Sequence, residues 1–147
     1  MIEDAAILLV EDSQPDVFMM QSAFRKAGWR RPIISVPDGQ EAQDYLEGKG
    51  RYADRAIYPY PSCVLLDLQM PKMDGITLLI WIRAQHIHKR ILVFVLTGEQ
   101  NPDRMRLVYD LAANCMLPKP EDLPGTVKLA SSLKDYLNMI QLPPLPT

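Results

Sequence analysis

Cysteine is scarce in this chain, with two residues among 147, and the charges nearly cancel, with 16 Lys and Arg against 18 Asp and Glu. Two thiols cannot build the disulfide framework of a small secreted domain. Cys63 and Cys115 each open an apolar or β-branched stretch and read as reduced, buried hydrophobes. A net charge of -2 with scattered basic residues gives no footprint for nonspecific nucleic-acid or membrane-surface binding. Long apolar runs are missing too: Ile91 to Leu96, and Ile76 to Ile82 with Thr77 embedded, are too short to cross a bilayer. Glu3 and Asp4 stand before the first apolar run, where a secretory signal would carry a basic start. These absences predict one soluble, cytoplasmic domain of ordinary size that works on a small ligand or a protein partner.

The chain does have a regular alternation. Short continuous apolar runs, Ala6 to Val10, Ile33 to Val36, Cys63 to Leu66, Ile91 to Leu96 and Cys115 to Leu117, each end at a polar, Gly or Pro break. Strands buried on both faces have this character. Between and after them lie stretches with helical spacing: Pro15 to Ala27, Gln40 to Glu47, Ile76 to Gln85, a segment opening near Pro102, and Thr126 to Ile140. Five strands alternating with five helices predict an α/β fold, doubly wound around a five-stranded parallel sheet. Two segments break the rhythm. Gly48 to Ser62, with three tyrosines and two prolines, is too long for an ordinary loop and too aromatic for a flexible linker, so a packed excursion or a partner contact is expected. Residues 142–147 carry three prolines and predict an extended tail beyond a domain spanning residues 1–141.

In an open parallel sheet the ligand site lies outside the carboxyl ends of the strands. The polar residues that follow the apolar runs are Glu11 and Asp12 after the first, Asp67 after the third, Thr97 after the fourth and Lys119 after the fifth. Any one of them alone would be an ordinary loop residue. Together they place three carboxylates, a hydroxyl and an ammonium on one sheet edge. Crowded carboxylates must take up protons or bind a cation. Hard oxygen ligands suit Mg²⁺, which proteins hold through one or two carboxylates plus a substrate phosphate. A carboxylate can attack phosphorus to form an aspartyl phosphate, whose transferring group then needs a cation and a nearby ammonium.

Four stretches carry a resemblance: Ile7 to Asp12 (ILLVED), Leu65 to Gly75 (LLDLQMPKMDG), Leu96 to Gly98 (LTG) and Leu117 to Pro120 (LPKP). With them the chain resembles the receiver domains of two-component response regulators over nearly its whole length. The resemblance implies a flavodoxin-like sheet of order 2-1-3-4-5 and phosphorelay signalling, with Asp67 as phosphoacceptor. It further implies Mg²⁺ held by Glu11, Asp12, Asp67 and the backbone carbonyl of Gln69, with Thr97 and Lys119 on the phosphoryl oxygens. The Lys119–Pro120 peptide would be cis. The domain would be no enzyme beyond catalysing its own phosphorylation and dephosphorylation. Its partners would be a sensor histidine kinase, a histidine phosphotransfer protein and a second copy of itself in a homodimer. The long 48–62 segment is similar to that of stand-alone regulators paired with phytochrome-type kinases.

One position departs from the family pattern. The aromatic expected three residues before the lysine, half of the usual switch with Thr97, is Met116. That keeps open a pseudo-receiver that binds partners without being phosphorylated. A phosphatase of the haloacid-dehalogenase type is the other alternative, but it would place an acid two residues after the nucleophile, where Gln69 stands. His86 and His88 read as cationic complements to the end of the third helix, alongside Lys89 and Arg90.

Overall fold

The computed structural model describes residues 2–68, 74–98 and 100–146. Strands β1 (Ile7–Val10), β2 (Ile34–Val36), β3 (Cys63–Asp67), β4 (Leu92–Thr97) and β5 (Cys115–Pro118) form one parallel sheet of order β2-β1-β3-β4-β5. Helices α1 (Gln14–Lys26), α2 (Gly39–Glu47), α3 (Gly75–Ala84), α4 (Pro102–Asp110) and α5 (Leu123–Met139) connect and flank the strands. This is the flavodoxin-like order expected, and Pro118, which has no N–H, sits in an edge strand.

Strand side chains alternate between two cores. Leu8, Val10, Val64, Leu66, Val93 and Val95 pack with residues of α2, α3 and α4, such as Leu46, Leu79 and Val108. Ile7, Leu9, Cys63, Leu65, Phe94 and Leu96 pack on the opposite face with Val17, Phe24 and Leu133 of α1 and α5. Because both faces are covered, β1, β3 and β4 are buried at every position, which is why they read as unbroken apolar runs. Cys63 is buried, Cys115 is partly buried and both are free thiols.

Capping fixes the helix starts. Asp38, Asp74 and Asp122 accept through their side chains from the N–H of Glu41, Thr77 and Gly125. Helix α5 thus begins three residues earlier than its apolar stripe indicates, with Pro124 tolerated in the first turn. The excursion after α2 is packed. Tyr45, Tyr52 and Tyr58 meet ring to ring, with centroids 5.0 to 6.1 Å apart, and the Tyr45 hydroxyl donates to the Pro59 carbonyl. Arg55 donates to the carbonyls of Tyr45, Leu46 and Tyr58, tying the excursion to the end of α2.

Two expectations are corrected. The described peptide bonds are all trans, Lys119–Pro120 included. For X–Pro the trans form is the lower by about 0.5–1 kcal/mol, and Lys119 already reaches the other site residues from it. His88 does not sit exposed at a helix end. It is buried between the rings of Tyr60 and Trp81, with centroids 5.7 Å away on each side, and its Nδ1 lies 2.9 Å from the Tyr60 hydroxyl.

Candidate functional site

The register of the sheet brings the site together. Val10 pairs with Leu66, so Glu11 and Asp12, just past β1, stand beside Asp67 at the end of β3. Asp67 pairs with Leu96, which puts Thr97 one residue beyond it on β4. Thr97 pairs with Pro118, and the Lys119 N–H donates to the Thr97 carbonyl at 3.1 Å, so β5 delivers Lys119 to the same edge. Glu11, Asp67 and Thr97 are buried, Lys119 is half-buried and Asp12 is exposed. All five residues expected from the order of the apolar runs therefore converge. Gln69, whose carbonyl was the remaining expected ligand, lies outside the described residues.

Each of Glu11, Asp12 and Asp67 offers an oxygen lying within 4.8 Å of the others. At an effective dielectric of about 20, two unit charges this close repel by roughly 3–4 kcal/mol. Lys119 offsets part of that repulsion, with its Nζ 2.5 Å from Glu11 Oε1 and 3.3 Å from Asp67 Oδ2. Burial and the hydrogen bond to Asp67 push the Glu11 carboxyl up to about 8, more than Lys119 pulls it down. The Lys119 ammonium is raised despite the opposing cost of its own burial, because Glu11, Asp16 and Asp67 surround it. A carboxyl raised by burial and by a neighbouring carboxylate is one whose charged form a divalent cation would favour, and the all-oxygen donor set suits a hard one.

Two further residues join the site, and neither follows from the ends of the strands. Asp16, in the first turn of α1, places Oδ2 3.0 Å from Lys119 Nζ, and that contact lowers its pKa. An acidic residue four positions after Asp12 was its only mark in the sequence. Tyr109 of α4 reaches the outer edge of β5, where its hydroxyl accepts from the Met116 N–H at 3.0 Å. The signal for it was an edge strand with an amide in need of a partner. Met116 itself is half-buried and borders a cavity of about 230 Å³ that Thr97 and Met105 also line.

With this geometry established, known proteins supply the context. The response regulator receiver domain family matches residues 7–131. The chain is 35% identical over 138 residues to response regulator Rcp1 of Synechocystis sp., covering 93% of this chain and 92% of that one. The phosphorylated cyanobacterial phytochrome response regulator RcpA has a similar solved structure, with TM-score 0.85 and 33% identity over 96% of this chain and 99% of its own. The Mn²⁺-bound form of Rcp1 gives TM-score 0.81 and 34% identity, over 95% and 99% of the two chains. This chain belongs to the response regulator receiver domain family, the signalling modules of two-component phosphorelays.

Proposed function

We propose that this domain accepts a phosphoryl group on Asp67 from the phosphohistidine of a sensor histidine kinase and passes the signal on by protein contact. The observation that carries this reading is the clustering of Glu11, Asp12 and Asp67 at the carboxyl edge of the sheet, with the Lys119 ammonium against Glu11 and Asp67. Asp67 Oδ attacks phosphorus, the bond from phosphorus to the histidine nitrogen breaks, and the imidazole recovers a proton. Glu11, Asp12, Asp67 and the Gln69 carbonyl would hold Mg²⁺, which when bound neutralises charge on the transferring group and orients its oxygens. Lys119 pairs with one phosphoryl oxygen and the Thr97 hydroxyl donates to another. Apart from catalysing its own phosphorylation and dephosphorylation, the domain turns over no substrate. Readout runs through Thr97 and Met116, with the cavity between them giving an unbranched thioether side chain room for a second packing.

The receiver unit in this reading spans residues 1–141, with residues 142–147 as a tail, and it works in the cytoplasm. Among the described residues no helix is long and apolar enough to cross a membrane. A phytochrome-type kinase is the partner favoured by the likeness to Rcp1 and RcpA, and a histidine phosphotransfer protein or a second copy of the chain are further partners. The test is to incubate the protein with acetyl phosphate or phosphoramidate and Mg²⁺ and to map the adduct by mass spectrometry. One phosphoryl group on Asp67, absent in Asp67→Asn, is expected. No adduct, or an equal adduct in the variant, would instead support a pseudo-receiver. Steady turnover of phosphate esters would support a phosphatase.

A further inference from the structure

Lys119 is held by a carboxylate that phosphoryl transfer does not itself require. An ammonium has three N–H donors, and Lys119 Nζ has three carboxylate neighbours: Glu11 Oε1 at 2.5 Å, Asp16 Oδ2 at 3.0 Å and Asp67 Oδ2 at 3.3 Å. Glu11 and Asp67 belong to the acidic cluster suited to a cation. Once a divalent ion draws on their charge, their attraction for the ammonium weakens. Asp16 is not one of those three carboxylates, although its side chain also meets Glu11; from the first turn of α1 it reaches Lys119, just past β5.

We propose that Asp16 is a positioning residue, keeping the Lys119 ammonium beside Asp67 while the neighbouring carboxylates are engaged by a cation. This rests on Asp67 being the phosphoacceptor. Of the three contacts, the one to Asp67 is the longest, and it is the one that an arriving phosphoryl oxygen replaces. Asp16 holds the ammonium so that its third N–H stays directed there. A lysine side chain has four rotatable methylenes, and without a fixed partner it would be drawn toward bulk water as often as toward the acceptor.

The competing account is helix stabilisation. Ser13 caps α1 by accepting from the Asp16 N–H at 3.4 Å, and an acid in the first turn complements the helix dipole. That role, however, does not require the carboxylate to lie within hydrogen-bond distance of an ammonium more than a hundred residues later in the chain. A second competing effect has the opposite sign: Asp16 is an anion near an incoming anion, so simple repulsion predicts that removing its charge tightens phosphoryl binding.

The experiment uses the full chain and saturating Mg²⁺, with beryllofluoride as phosphoryl analogue followed by calorimetry and acetyl phosphate labelling followed by mass spectrometry. Asp16→Asn is expected to weaken beryllofluoride binding by about five- to tenfold and to slow labelling of Asp67 comparably, leaving Mg²⁺ affinity within about twofold. Asp16→Glu recovers part of the loss. In a Lys119→Ala background Asp16→Asn is expected to add nothing; a loss that persists there would come from its contact with Glu11. Unchanged or tighter analogue binding overturns the proposal, as does an equal loss in the Lys119→Ala background. A lower Tm with unchanged affinity reduces Asp16 to a first-turn complement of the helix dipole and overturns it as well. If the wild-type chain takes no phosphoryl group on Asp67, the acceptor reading fails first and this inference falls with it.

Discussion

At Gly75 the start of α3 comes directly against the backbone that carries Asp67. A Cβ there would lie 2.6 Å from the Asp67 carbonyl oxygen and 2.7 Å from Leu68 Cα, both main-chain atoms that cannot swing aside. Gly75→Ala therefore displaces the strand that carries Asp67 or the helix. A stability loss of about 1–3 kcal/mol is expected by urea unfolding, together with slower phosphorylation of Asp67 under the conditions that label the wild type. His88 makes a prediction of a different kind. Burial holds its imidazole below the ordinary histidine range, so the folded protein resists a proton that the unfolded chain accepts. Stability is therefore unaffected well above about pH 6.5 and falls as pH drops through that value toward the lower folded one. Urea midpoints compared between pH 7.5 and pH 5.5 should fall more for the wild type than for His88→Gln. An equal fall would show that other groups carry the pH dependence. The five site residues were legible because each ends an apolar run, and strand ends share an edge in a parallel sheet. His88 was misread for the complementary reason: its stacking partner Tyr60 comes from the excursion, and no local period announces that contact.

Among elements, the segment between α2 and β3 is the one whose form the sequence left open. Its composition indicated a packed excursion, but the organising contact is a single guanidinium aimed at helix-end carbonyls, which leaves no trace in hydropathy. Arg55→Ala removes a donor from each of three carbonyls, of which that of Tyr45 keeps the Gly48 N–H. An overall cost of about 1–3 kcal/mol and faster amide exchange across residues 49–62 are expected, and unchanged exchange would show that the tyrosine cluster suffices. The existence of the strands was readable because β1, β3 and β4 are buried on both faces, whereas their order came from the family resemblance and not from the apolar runs. Helix ends were less so: Asp122 starts α5 ahead of its first stripe residue, a matter of one side-chain hydrogen bond and not of periodicity. The turn after α4 contains Ala112 at φ 64, a conformation that favours glycine. Ala112→Gly should raise the urea midpoint, with a gain of up to about 1 kcal/mol after the added freedom of the unfolded chain is discounted.

For the molecule as a whole, the proposed boundary at residue 141 can be tested by truncation. Leu142 is half-buried against the α1 and α5 core, so removing residues 142–147 should cost about 1 kcal/mol while leaving the circular dichroism spectrum native. A collapse of the fold would move the boundary outward. Mg²⁺ should raise Tm with the logarithm of its concentration above Kd, by the equivalent of about 2.7 kcal/mol at a hundredfold excess, and Asp12→Asn should blunt the effect. Lys119 also bears on how the protein comes to be folded at all. Salt-bridged to Glu11 and Asp67, it serves as a built-in counter-ion. Metal-dependent miniature domains stay unfolded until the ion arrives. Here the acidic edge carries its own compensating charge, so the chain should reach its native state in the presence of a chelator. The order of events is then free: the fold can form first, and a divalent cation can enter the finished acidic edge afterwards.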